Sequence, residues 1–207
     1  ADGWTIVSGL ALGIDTLSHK TALDCNGITI AVMGGGLDSI YPRQNAKLAE
    51  RILDSGGALI SEQRFGVGAS ARGLIQRDRL QSGLSVATFV MQTDLEGGAM
   101  HTVRFTLQQG RLLFAPVPQG RDAEESGSQG NVAMTELTGT RFAEITRAEG
   151  EYRRLLEGRF RNQAVALALA GPEDVAAIAG CLEAHHKAQV SRQGEAVPPG
   201  EAQLSLL

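Results

Sequence analysis

The hydrophobic positions of this chain come in short runs. Apolar stretches at 5–8, 28–33, 58–61, 86–92 and 112–115 each read as a buried strand, and the segments between them, at 15–24, 44–54, 75–82 and 99–109, carry apolar residues at helical spacing. Strands that are apolar throughout rather than alternating, each followed by a helix, predict a parallel sheet covered by helices on both faces. The expected fold class is α/β. After Pro116 the pattern changes, because "PQGRDAEESGSQGN" holds turn residues and no apolar period. Beyond it the sequence predicts a short element around 132–145, an Arg/Glu-rich helix at 147–161, and a helix opening at Pro172. That last helix has Glu173 and Asp174 at its positive dipole end and His185, His186 and Lys187 at the other. In the 147–161 helix, Glu149/Arg153 and Glu157/Arg161 stand at i,i+4, which predicts a self-paired, solvated face. "RQGEAVPPGEAQ" reads as an exposed linker.

Composition narrows the function classes. At 207 residues, 43% of them hydrophobic and 20% charged, the chain suits one globular domain with or without an appendage. No apolar run reaches the ~18 residues of a membrane span, and no charged-then-apolar leader opens the chain, so a cytoplasmic protein with no membrane partner is expected. Cys25 and Cys181 form no CxxC, and His19, His101, His185 and His186 show no metal-ligand spacing, so neither a metal nor another cofactor is expected. A net charge of −4 gives no general attraction to nucleic acid; a polyanion site has to be a local patch.

Ligands of open α/β sheets bind beyond the carboxyl ends of the strands, and glycine-bearing turns fall at three of those ends. Ser8 and Gly9 to Gly13 follow the first strand, Gly34, Gly35 and Gly36 the second, and Gly97 and Gly98 the fourth, ahead of a helix that includes Thr102. Backbone amides without side chains at helix N-termini suit phosphate. None of the turns has P-loop or dinucleotide-fingerprint spacing. Positive charge gathers nearby. Arg64, Arg72, Arg77 and Arg79 fall within sixteen residues that hold one acid, Asp78. Guanidinium forks beside free amides make a polyphosphate groove, which Arg43 and Arg104 would widen.

These segments resemble the DprA/Smf family of DNA-processing proteins. "SGLALGID" with His19 four residues on is similar to that family's SGLA-x-GID-x-x-x-H. "GGGLDSIYPRQNAKLAERI" resembles G-x-GLD-x-x-YP-x-x-N-x-x-L, and "LIQRDRLQSGLS" resembles FP-x-RNRII-x-GLS. "GGAMHTVRFTLQQGRLLFAPVP" and "SGSQGNVAM" are similar to its later segments, so the likeness runs over about residues 3–145. Leu12, Leu74, Ile75, Asp78 and Gln119 depart from the family pattern, which has Arg, Phe, Pro, Asn and Gly there. The family also carries an earlier strand and helix with a Gly-Ser-Arg motif. The resemblance implies a Rossmann-like, doubly wound, mostly parallel sheet with a helical C-terminal appendage. It divides the chain into an N-terminally incomplete domain at 1–146, a helical segment at 147–189 and a flexible tail at 190–207. The implied function is to bind single-stranded DNA and hand it to a RecA-type recombinase during DNA uptake, without catalysis. The glycines above with Ser8, Thr102, Arg43, Arg64, Arg77, Arg79 and Arg104 are its candidate contacts. With one Trp and two Tyr, base stacking is expected to contribute little beside the backbone grip.

The alternative is a nucleotide sensor or nucleotide hydrolase of the related SLOG type, with Glu62, Asp15 or Glu96 as its carboxylate; Asp15 reads equally well as a helix-capping residue. A sheet without its first βα unit would expose an apolar edge, which predicts either chain before Ala1 or two chains packed together. Gln203, Leu204, Ser205, Leu206 and Leu207 resemble the Gln-Leu-Ser/Asp-Leu-Phe motif that docks bacterial repair proteins on the sliding clamp.

Overall fold

The computed structural model describes residues 3–194; the tail motif at 203–207 lies outside them. Strand β1 (Ile6–Ser8) leads into helix α1 (Ile14–Asp24), β2 (Thr29–Val32) into α2 (Ala46–Asp54), and β3 (Ala58–Ile60) into α3 (Ala71–Gly83). Then come β4 (Ala87–Phe89), α4 (Ala99–Gln108) and β5 (Leu112–Pro116). All ladders are parallel, in the orders β1-β2-β3 and β4-β5-β6, with β6 at Leu167–Leu169. The architecture is α/β and Rossmann-like, as expected, but its strands form two three-stranded sheets where one was anticipated. Helix α3 packs on β2 and on α4, so the crossover from β3 passes over the first sheet and the next strand begins a separate ladder. Among the described residues β1, β3, β4 and β6 each keep one edge unpaired.

Between β5 and β6 lie three helices, α5 (Gln129–Glu136), α6 (Gly139–Ile145) and α7 (Gly150–Arg159). The element expected around 132–145 is thus two helices, divided where Leu137 turns extended and the Thr138 hydroxyl caps the Arg141 amide. Helix α7 is self-paired, through Arg153 and Glu157 at 2.7 Å; Glu149 is its extended N-terminal flank and takes no part.

A compact unit runs to Leu169, past the expected boundary at 146. The reason is apolar: Ala148, Tyr152, Leu156, Phe160, Val165 and Ala166 share one core with Val103, Leu113 and Phe142 under the second sheet. The first sheet has a smaller core of Leu10, Leu23, Ala31, Met33, Leu48, Ala49 and Ile52. The second unit begins at Ala170; within it α8 (Val175–Gly194) follows a turn in which the Asp174 carboxylate accepts from the Ala170 amide at 2.7 Å. No described helix is long and apolar enough to cross a membrane.

Candidate nucleic-acid interface

Because the strands are parallel, the loops after β1, β2 and β3 gather at one edge of the first sheet. The first of these loops is filled from within. Asp15, in the first turn of α1, accepts from the Ser8 hydroxyl at 2.6 Å and from the amides of Gly9 and Ala11 at 3.2 and 3.1 Å. The anion that this nest of amides suits is therefore the protein's own carboxylate. Ser8 and Gly9, expected to face phosphate, are buried and already bonded, which corrects that expectation, and Asp15 is a turn-shaping group rather than a base. Leu10 turns through a left-handed φ of 61°, and its carbonyl is held by the Asn45 side-chain amide at 2.8 Å, which also reaches Thr16 at 2.7 Å.

Arg77 closes the same turn from α3. It is 8% exposed, and its Nη1 donates to the carbonyls of Gly9 and Val32, each at 2.6 Å, while Nε meets Asp78 at 3.2 Å. A Cβ at Gly9 would collide with this guanidinium. Arg77 is thus a buried brace between the ends of β1 and β2 and not the phosphate contact expected of it. Burial pushes the Asp78 carboxyl up to about 6, against the pull of Arg77 and His101. His19 is fully buried beneath the same loops, with Nδ1 2.7 Å from the Thr29 hydroxyl and Nε2 without a partner. The Thr29 hydroxyl donates to the Ile6 carbonyl, so it accepts from Nδ1–H; burial lowers the pKa of the ring, against a rise from Asp15, and Arg77 lowers it further.

The glycines after β2 serve close packing instead of anion binding. A Cβ at Gly34 would lie 2.8 Å from Leu74, and one at Gly35 2.7 Å from the Ala69 amide; at Gly36 it would strike the Arg64 carbonyl. The three are buried where the loop after β3 lies against them, tied by Gly36 N–H to Val67 O at 2.8 Å and by the Ser61 hydroxyl to Gly35 O at 2.7 Å. Gly13 and Gly98 stand open, at the starts of α1 and α4. Gly97 is crowded by Thr93 and Asp94, and the exposed acids Asp94 and Glu96 sit beside this turn.

Positive charge remains at the first-sheet edge. Arg43, Arg64 and Arg72 are exposed and make no ion pair among the described residues. Arg79 is paired with Glu62, both about half exposed, so the carboxylate considered for nucleotide hydrolysis is neutralised by a guanidinium considered for DNA. Arg104 lies elsewhere, 5.6 Å from the centre of the Tyr152 ring on α7, and Thr102 is half-buried in α4. Sequence reasoning missed the bracing roles of Asn45 and Asn131. Asn131 accepts from the Thr93 amide at 2.8 Å and donates to Val90 O at 2.9 Å, pinning α5 to the end of β4. Their signal was present, since both stand at the Asn of a motif segment, but a spacing does not say whether a side chain points outward or into the fold.

Comparison with known proteins agrees with this architecture. The family model described as DNA recombination-mediator protein A matches residues 1–148. Protein Smf of Escherichia coli (strain K12) is 45% identical over 139 residues, which are 65% of this chain and 37% of that protein. DNA processing protein DprA of Bacillus subtilis (strain 168) is 40% identical over 113 residues, 55% of this chain and 38% of its own length. The chain thus spans well under half of these relatives. Among solved structures, DprA from Streptococcus pneumoniae superposes with a TM-score of 0.59 at 27% identity, covering 85% of this chain and 52% of its own. DNA processing protein A from Helicobacter pylori, described for a unique single-stranded DNA binding mode, gives 0.55 at 25% identity over 77% of this chain and 67% of its own. With a family match across most of the first unit and its parallel strands and braced turns in place, the chain belongs to the DNA recombination-mediator protein A family, DprA/Smf.

Proposed function

We propose that this chain binds single-stranded DNA along the carboxyl edge of its first sheet and presents it to a RecA-type recombinase, acting in the cytoplasm as a binding protein without catalysis. The observation that carries this reading is the set of exposed guanidiniums of Arg43, Arg64 and Arg72, without an ion pair among the described residues and borne on the loops after β2 and β3 and on the first turn of α3, next to backbone fixed by buried braces. Fixed cations spaced along an edge suit a flexible polyanion. Arg79 joins them when a phosphate displaces the exposed Glu62, at little cost for a solvent-screened pair. The open amide ends at Gly13 and Gly98 extend the track. The nucleotide-hydrolase reading loses Asp15 to the turn and Glu62 to Arg79.

Labelled oligo-dT and labelled mononucleotides, each titrated against the full chain, test the proposal. Tight oligo-dT binding is expected, and Arg64→Ala with Arg72→Ala should weaken it for every sequence and flatten the salt dependence by about one to two units. Preference for mononucleotides, or an unchanged salt slope, would overturn it. We also carry two partner proposals. A homodimer would cover the apolar edge of the first unit, tested by sedimentation. Clamp docking through Gln203, Leu204, Ser205, Leu206 and Leu207 would be tested by anisotropy against a tail with Gln203→Ala and Leu206→Ala.

A further inference from the structure

We propose that Phe65, seconded by Tyr41, is a stacking platform for unpaired bases; the inference rests on the single-stranded DNA reading above and assigns the part of the strand that phosphate contacts leave unexplained. Phe65 is 76% exposed, the highest value among the exposed large apolar residues. Its position is fixed. The Val67 amide donates to Arg64 O at 3.2 Å, closing a four-residue turn with Phe65 and Gly66 at its centre, and Gly66 supplies the φ of +82° such a turn needs at its third position. The Gly66 amide is held by both oxygens of Asp38 at 3.0 Å, and the Val67 carbonyl by the Gly36 amide at 2.8 Å. A ring at the tip of a turn anchored on both sides keeps its face in water instead of collapsing onto the fold.

What surrounds the ring selects the partner. Phe65 directly follows Arg64, exposed and without an ion pair among the described residues. The loop after β2, to which this turn is bonded, repeats the arrangement: Tyr41 is 57% exposed, and the exposed Arg43 follows two residues on. Each loop therefore carries an exposed ring and an exposed guanidinium within two residues of each other. That pairing matches one nucleotide of an unpaired strand, whose base stacks on the ring while its phosphate meets the cation. A duplex keeps its bases stacked inside and offers the ring nothing; an apolar protein surface would leave the two guanidiniums facing no anion. The chemistry points to single strands, read without sequence preference because every base has a π-face.

The test compares oligo-dT with an abasic oligonucleotide of equal length, using the full chain and its Phe65→Ala, Phe65→Leu and Phe65→Trp forms at fixed salt. The expected result is that Phe65→Ala weakens oligo-dT binding by roughly 5- to 150-fold, the range for loss of one stacked base, and leaves abasic binding within twofold. Phe65→Leu should fail to rescue, whereas Phe65→Trp should bind like the parent and show indole fluorescence quenched by oligo-dT. Tyr41→Ala should give a smaller loss in the same direction. Unchanged oligo-dT affinity in Phe65→Ala, full rescue by leucine, or an equal loss on the abasic strand would overturn the stacking assignment while leaving the phosphate track standing. Failure of the parent to bind either oligonucleotide would instead overturn the function on which it rests. A change in sedimentation of Phe65→Ala without a change in DNA affinity would make the ring a protein contact and end the proposal.

Discussion

Under the second sheet a large apolar core, with Phe142, Met134, Leu156 and Val103 fully buried, is edged by the buried polar groups Thr93, Thr106, Ser128 and Asn131. Under the first sheet the apolar core is smaller, and buried polar groups run through it: Ser8, His19, Thr29, Asn45 and Arg77. The difference lies in what each half does with its interior. Apolar packing is non-directional and supplies stability; a polar interior supplies less, but its hydrogen bonds fix where each backbone atom goes. The half that positions the exposed cations is the one with the smaller apolar core and with a charged side chain, Arg77, among its buried polar groups.

The sharpest way to break this comparison is truncation on each side. Leu156→Ala in the second core should cost about 4–5 kcal/mol in denaturant unfolding, whereas Leu48→Ala in the first should cost about 2–3 kcal/mol. Equal losses per removed methylene would say that the two cores are alike. Next comes Arg77→Met, which keeps volume but leaves the carbonyls of Gly9 and Val32 and the Asp78 carboxylate without their donor. A loss of about 2–4 kcal/mol is expected. DNA affinity should fall with it, yet the salt slope of the remaining binding should match the parent's, because no phosphate contact has been removed.

Acid chemistry gives a smaller effect. The folded-state carboxyl of Asp78 is raised to about 6 from an ordinary 3.8, so between those values the native state holds a proton that the unfolded chain releases. Its contribution is favourable at low pH and is lost as pH rises from about 4 to 6. Asp78→Asn has no such loss. Its stability relative to the parent should climb by about 1–2 kcal/mol between pH 4 and 7, less than the whole shift because water screens a carboxyl that is not fully buried. His19 acts in the opposite sense, losing stability as pH falls below 6.5, and does so in both proteins, so the difference isolates Asp78. The smallest effect is at the surface. Glu62→Gln should change stability by less than about 1 kcal/mol and, by releasing Arg79, raise single-strand affinity a few-fold.

Five strands and their helices were legible because buried parallel strands are apolar throughout and the helices between them are not. Strand β6 was not: "ALALA" consists of good helix formers, and only its ladder with β5 makes it a strand. Helix α3 begins at Ala71, earlier than the apolar period suggested, because the Ser70 hydroxyl caps the Gly73 amide. The site was half legible. Glycine and arginine at strand ends do gather at one edge of the first sheet, but Gly34, Gly35 and Gly36 make room for a neighbouring backbone, and Arg77 points inward. Composition counted Trp and Tyr and passed over Phe65, since exposure of one ring is decided by a turn.

Arg77 also has a kinetic consequence. One guanidinium joins the end of β1, the end of β2 and helix α3, so none of the three can loosen without breaking bonds to the others. Segments tied in this way open in a single cooperative step. Amides of the Gly9 turn, the end of β2 and the first two turns of α3 should therefore exchange with deuterium at one common rate, and the edge carrying Arg64 and Arg72 should move as one rigid lip.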